Sequence, residues 1–333
     1  FMKNLWKHVK LLILCILPIA ILLFACLAAY PVLTVRSEKD AKGYSGILRI
    51  WQIDNFEGGT GSRSAFINRA ARSFEAVNEG TLILVTAHTE QSAASSIAKG
   101  NIPDMISFGT GADFVGDIAQ PLRGYSFPYA QIGKETYAYP WCRGGYFLFA
   151  SAEGDFSDVS AQNTVIAQTS LSEVAAYYAD ISGECTFEST LKAYVNFIGG
   201  EYKYMLGTQR DIYRLIARNF SFQAKALGQF SDLWQYISVC TEDALRYEAC
   251  LRFIAHLLSE EVQKMLPQIG MMSAFYSVYD SSLAVMAEAE QIQPAHSVNA
   301  FISAQALDEL HSNAQLALKG DKNGAKNLEN YLI

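Results

Sequence analysis

Hydrophobic and polar positions alternate between two periods along this chain. Ile47-Leu48-Arg49-Ile50-Trp51-Gln52-Ile53 is a run of branched and aromatic residues, which predicts a mostly buried strand. It stops at Asp54-Asn55 and opens into Gly58-Gly59-Thr60-Gly61-Ser62, a turn signal. The period then lengthens, with Phe66, Ala70 and Phe74 on one face of a predicted helix. Thr81–Thr86 reads as a second strand, Glu90–Lys99 as a helix stopped by Gly100-Asn101, and Ile102–Gly109 as a third strand. Strands alternating with helices at this spacing predict right-handed crossovers and a parallel sheet, hence the α/β class. Open α/β sheets bind ligands beyond the carboxyl ends of their strands. Trp51, Gln52, Asp54 and Glu57, with Asn55, therefore form the first wall of a predicted ligand cleft.

The same alternation continues. Gly144–Ala150 reads as a strand entered through Tyr139-Pro140-Trp141, Thr164–Ala167 as a strand and Leu171–Ala179 as a helix. Glu188–Ile198 is a predicted helix that stops at Gly199-Gly200. Tyr202–Leu206 is a strand running into Gly207-Thr208-Gln209-Arg210-Asp211, where the next helix begins. Leu233–Val239 is a strand, and Asp243–Leu258, Glu260–Leu266, Ser303–Leu318 and Asn323–Leu332 are helices. There is no internal repeat and no low-complexity segment.

Residues 11–35 contain no charged residue and follow Lys3, Lys7 and Lys10. That length is enough to cross ~30 Å of hydrocarbon, and the preceding lysines hold the N-terminus on the cytoplasmic side. The expectation is an extracellular body tethered by residues 11–35, in a segment 1–36, followed by a polar linker over 37–45. Two rivals stand beside it: a lipoprotein attached through Cys26 in Leu23-Phe24-Ala25-Cys26, and a secreted chain cleaved from its signal. At 333 residues, 50% hydrophobic and 18% charged, the rest is globular and long enough for two cores. Four of the 26 basic residues lie in the first 36, with no acid, so the remainder carries 22 against 33 and a formal charge of −11. An acidic body argues against nucleic-acid binding. Cys142, Cys185, Cys240 and Cys250 match no zinc spacing and read as buried free thiols.

Six blocks in order across residues 46–333 carry a resemblance. They are LRIWQIDNFEGGTGSR with FINRAARSFEAVN, IPDMISFG, YPWCRGGYFLFA, YMLGTQRDIYRL, EACLRFIAHLLSEEVQKMLPQIGMMSAF, and ALKGDKNGAKNLENYL. In these the chain resembles the extracellular solute-binding proteins of ABC importers, in the family 1-like group that includes carbohydrate binders. The resemblance implies a two-lobe, type II periplasmic-binding-protein-like fold with a hinge. The first lobe would comprise 46–140 plus 240–285, and the second 141–239 plus 286–333. The chain departs from the family in lacking a Thr-Trp-Asp-Glu-like segment after the first crossing strand, so a reduced second lobe is expected. The implied function is capture of a small polar solute, a sugar or oligosaccharide, by lobe closure, and its delivery as a monomer to ABC permease subunits. The alternative is a membrane-tethered solute sensor or scaffold that keeps the fold without transport.

Sugars present apolar CH faces ringed by hydroxyls, so a fitting site stacks aromatic rings and places charged groups on the rim. Trp51 and Phe108 are the candidate platforms from the first lobe, with Tyr139 and Trp141 at the hinge floor. Asp54, Glu57 and Gln52 are the first lobe's hydroxyl partners; Gln209 and Arg210 meet the ligand from the second, and Met272 packs against it. Arg63, inside the first turn of its helix, reads as a structural ion pair, and Asp104 as structural. The Gly58–Ser62 turn lacks the Gly-Lys-Ser/Thr ending of a phosphate loop. His88, His256, His296 and His311 are scattered, and no serine sits in a Gly-x-Ser-x-Gly elbow. No cofactor, no metal and no enzymatic activity are expected.

Overall fold

The computed structural model describes residues 44–152 and 154–333; the expectations for residues 11–35 and for Cys26 lie outside them. Among the described residues no helix is long and apolar enough to cross a membrane. The strands, in chain order, are β1 Gly46–Ile53, β2 Thr81–His88, β3 Met105–Gly109, the short β4 Gln131–Ile132 and β5 Glu135–Thr136, β6 Tyr139–Arg143, β7 Tyr146–Ser151, β8 Thr164–Gln168, β9 Thr186–Ser189, β10 Tyr204–Thr208, β11 Phe222–Ala226 and β12 Trp234–Val239.

They build two five-stranded sheets, in the orders β2-β1-β3-β12-β6 and β11-β7-β10-β8-β9. In the first sheet β1 runs parallel to β2 and β3, and β12 runs antiparallel between β3 and β6. In the second, β8 runs parallel to β9 and β10, and β7 runs antiparallel between β10 and β11. Read outward from β9, the second sheet repeats the order of the first. Each lobe thus holds one antiparallel strand that enters from the other. The second lobe's sheet has as many strands as the first, and its helices Ser172–Tyr178, Thr190–Ile198 and Gln209–Ala217 are 7, 9 and 9 residues long.

The chain crosses between sheets at slightly different places from those read in the sequence. The single strand expected at Gly144–Ala150 is β7, but the Tyr139-Pro140-Trp141 lead-in is a strand of its own, β6, in the other sheet. Arg143-Gly144-Gly145 is therefore the crossing, and Leu227–Leu233 is the return, since β12 lies in the first sheet. Strands β9 and β11 and the helix Ala284–Gln291 have no counterpart in the sequence reading. The helix expected at Glu260–Leu266 ends at Gln263 and gives way to a short 3-10 turn over Leu266–Ile269, because Pro267 supplies no backbone donor.

Each sheet is covered on both faces. Phe66, Ala70 and Phe74 of the helix Arg63–Val77 are buried, as their spacing predicts. Trp51, Ile53, Ile106, Phe108, Trp234 and Tyr236 share the core of the first lobe, and Phe147, Phe149, Val165, Tyr194, Met205 and Ile212 that of the second. The Gly58–Gly61 turn is shaped by packing. Thr60 N donates to Ile269 O at 3.0 Å. A Cβ on Gly59 would overlap the carbonyl oxygens of Ile269 and Gly270, and one on Gly270, whose φ is +67°, would lie 2.8 Å from Thr60 N. Two backbones meet here with no room for a side chain.

Candidate functional site at the seam between the lobes

The residues that follow β1 form a braced loop. Asp54 Oδ1 accepts from Gln52 Nε2 at 2.8 Å and pairs with Arg63 Nε at 2.7 Å. Arg63, 2% exposed, also donates to Phe56 O at 2.6 Å and lays its guanidinium 4.2 Å from the Phe56 ring centroid. Its structural reading in the sequence is the role it has. Asn55 Oδ1 accepts from Gly109 N at 2.9 Å, tying the carboxyl end of β1 to that of β3. With the glycine turn locked on Ile269, the loop has few ways to move, and it aims Glu57 at the opposite lobe.

Glu57 meets three groups of the second lobe on one oxygen. Its Oε1 pairs with Arg210 Nη1, accepts from Thr190 Oγ1 at 2.9 Å and lies 3.8 Å from Arg214 Nη2. Its Oε2 is buried and has no partner. Thr190 and Arg210 stand at the starts of the helices Thr190–Ile198 and Gln209–Ala217, which follow β9 and β10. Partial positive charge at helix N-termini favours an anion there. Arg214 is held independently, by Asp211 Oδ1 at 3.1 Å and over the Tyr194 ring at 5.6 Å.

A second bridge lies where the chain returns. Thr110, just past β3, donates from its hydroxyl to Asp232 O at 2.8 Å. The buried Asp232 carboxylate accepts from Tyr146 OH at 2.8 Å and from Ser170 Oγ, past the end of β8. Burial pushes the Asp232 carboxyl up, and its two hydroxyl donors pull the other way. Tyr213 of the second lobe completes the seam: its hydroxyl lies 2.7 Å from that of Tyr279, which donates to Met271 O at 3.1 Å.

The structure thus brings Glu57 and Arg210 together across the seam, while Asp54, half-exposed on the same loop as Glu57, pairs with Arg63 of its own lobe. The predicted aromatic platforms are elsewhere. Trp51, 4% exposed, stacks on His88 with ring centroids 4.3 Å apart. Phe108 is fully buried against Tyr236 and Phe301. Trp141 is fully buried, stacked on Phe66, and donates from Nε1 to Ser107 Oγ at 2.9 Å. Gln52 is buried with its amide turned to Ile53 O and Asp54. Gln209 is buried, accepts from Gly145 N at 3.0 Å and so fixes the crossing. Met272 is buried and exchanges backbone hydrogen bonds of 2.9 Å with Arg143. Tyr139 packs its ring at a tilt against that of Tyr125, centroids 4.2 Å apart, along a groove of about 380 Å³ that Gln120, Arg123 and Tyr247 also line.

Sequence reading missed Thr190, Arg214, Ser170 and Asp232. None has a local signal; each matters through a partner far along the chain. Among the described residues there is no cluster of three metal-ligating side chains. Cys142, Cys185, Cys240 and Cys250 are free, and burial pushes all four thiols up.

No family model matches the chain, and no curated protein sequence does. Solved structures do. The sugar-binding protein MalE from Xanthomonas citri superposes with a TM-score of 0.60 at 12% identity, over 86% of this chain and 95% of that one. The GacH receptor of Streptomyces glaucescens, solved unliganded and with acarbose, gives 0.55 at 15%, over 84% and 95%. The maltose/maltodextrin-binding domain MalE from Bdellovibrio bacteriovorus, bound to maltotriose, gives 0.52 at 11%, over 84% and 96%. At these identities the likeness is one of fold: the chain has the type II periplasmic-binding-protein fold.

Proposed function

We propose that this chain captures a small polar solute, a sugar or oligosaccharide, between its two lobes outside the cytoplasm and delivers it to an ABC permease. The carrying observation is the seam. Carboxyl ends of strands from both sheets face each other there; their loops present Glu57, Thr110 and Ser170, and the helices that follow present Thr190, Arg210 and Arg214. Such ends are where open α/β sheets take ligands, and charged and hydroxyl groups suit a polyhydroxylated solute. Hinge closure is the motion this architecture uses. The fold-level neighbours named above, which are described as sugar-binding, acarbose-complexed and maltotriose-bound, support the same ligand class. The apolar run at 11–35 supports an extracellular placement.

A thermal-shift screen against mono- and oligosaccharides, amino acids and polyamines tests this. A ligand at 100 times its dissociation constant stabilises by about 2.7 kcal/mol, which moves the midpoint of a chain this size by several degrees. One observation favours the sensor or scaffold reading: Trp51, Phe108 and Trp141 have no open ring face, and the seam's charges already have partners within the protein. Silence across a broad panel from well-folded protein would shift the balance toward that reading.

A further inference from the structure

We infer that Arg210, Arg214 and Thr190 form a carboxylate subsite, occupied here by Glu57 of the opposite lobe acting as a tethered stand-in, and that the solute this protein takes is an acidic saccharide of the uronate type. The inference rests on the solute-binding reading above and names the ligand's charge.

Two guanidiniums and a hydroxyl converge on one carboxylate oxygen. That is a donor set for a carboxylate, since arginine donors match its geometry and charge assistance strengthens each bond. The N-termini of two nine-residue helices add positive partial charge at the same point. Arg214 is held on the second lobe independently of Glu57, by Asp211 and the Tyr194 ring. Glu57, by contrast, comes from the first lobe, with one oxygen on the subsite and the other buried without a partner. When the lobes part, this carboxylate leaves and the donors are freed to water. A neutral sugar offers only uncharged hydroxyl oxygens to replace it, whereas a sugar acid offers a carboxylate. Glu57 then competes with the ligand for the same three groups, and removing its charge must help an acidic ligand.

The test is isothermal titration of the full-length protein and its Glu57→Gln and Arg210→Ala variants with trigalacturonate and maltotriose, and with glucuronate and glucose. Each pair contrasts sugar acids with neutral sugars. The expected result is that Glu57→Gln binds the acidic probes roughly tenfold tighter, within the usual range for coupled sites, and gains nothing for the neutral ones. Arg210→Ala loses the acidic probes. The inference is overturned if Glu57→Gln weakens or leaves unchanged the acidic probes while maltotriose or glucose binds; the solute-binding reading then survives with Glu57 as an ordinary contact. If no probe binds any folded variant, both fail together.

Discussion

The sequence points to Trp141 as a cleft-floor aromatic, and the structure makes it an internal beam, so Trp141→Phe separates the two. Trp141 is fully buried, its indole stacks on Phe66 at 5.5 Å between ring centroids, and Nε1 donates to Ser107 Oγ at 2.9 Å. Phenylalanine keeps the stacking and loses the hydrogen bond. That loss costs about 1 kcal/mol. It is not larger because Ser107 Oγ still receives Gln235 Nε2 at 3.0 Å. The smaller ring leaves a void costing roughly another 1 kcal/mol, well below the ~3–5 of a full truncation to alanine. The sum, about 2 kcal/mol, lowers the thermal midpoint by roughly 5 °C in a protein of this length. Near-ultraviolet circular dichroism melts measure that shift, and titration with any solute found in the screen measures affinity at a temperature where both proteins are folded. The structural account predicts a lower midpoint and an unchanged dissociation constant. An unchanged midpoint with lost affinity would refute it and return Trp141 to the cleft.

Gly59→Ala should destabilise by about 2 kcal/mol through overpacking, since its Cβ would overlap Ile269 O; a neutral result in urea unfolding would show that the turn has room after all. The ion pair between His311 Nδ1 and Glu173 Oε2, 3.1 Å apart, predicts a pH signature. The hydrogen bond to Glu173 raises the His311 pKa, so its contribution is complete below the ordinary value of about 6.5 and fades as pH rises through the folded one. Burial pushes the Glu173 carboxyl up, but the hydrogen bonds from His311, the backbone and Ser172, with the His311 charge, together outweigh it and the net shift is downward, so its share is lost only in acid. The midpoint gap between wild type and His311→Gln should therefore be widest near pH 5–6 and close in the alkaline direction; a gap that widens above neutrality would contradict the assignment. Glu57→Gln should also raise the open population of the lobes, read as a larger radius of gyration by X-ray scattering without ligand; an unchanged radius would mean that the second bridge through Asp232 holds the seam closed unaided.

Much of the fold is written in local periodicity. β1 is the strand that its branched run predicts, and the face marked by Phe66, Ala70 and Phe74 is the face that packs. Edge strands are harder. β9 reads Thr-Phe-Glu-Ser and β11 reads Phe-Gln-Ala-Lys-Ala, short and half-polar because an edge buries little. The site was legible as a location and much less as a set of side chains. An aromatic at a strand end can turn into the core or out over the ligand, and a one-residue change of register decides which. Trp51, Phe108 and Trp141 all turn in. Glu57 and Arg210 lie 153 positions apart, and only tertiary packing reveals that they are partners.

The most direct measurement is native mass spectrometry of the full-length protein against a saccharide panel, with the released ligand analysed afterwards. Solute capture by the seam predicts a one-to-one adduct with one saccharide class, released intact, and lost in Arg210→Ala. Folded protein that takes up no saccharide, or a saccharide recovered as cleaved fragments, would contradict the account.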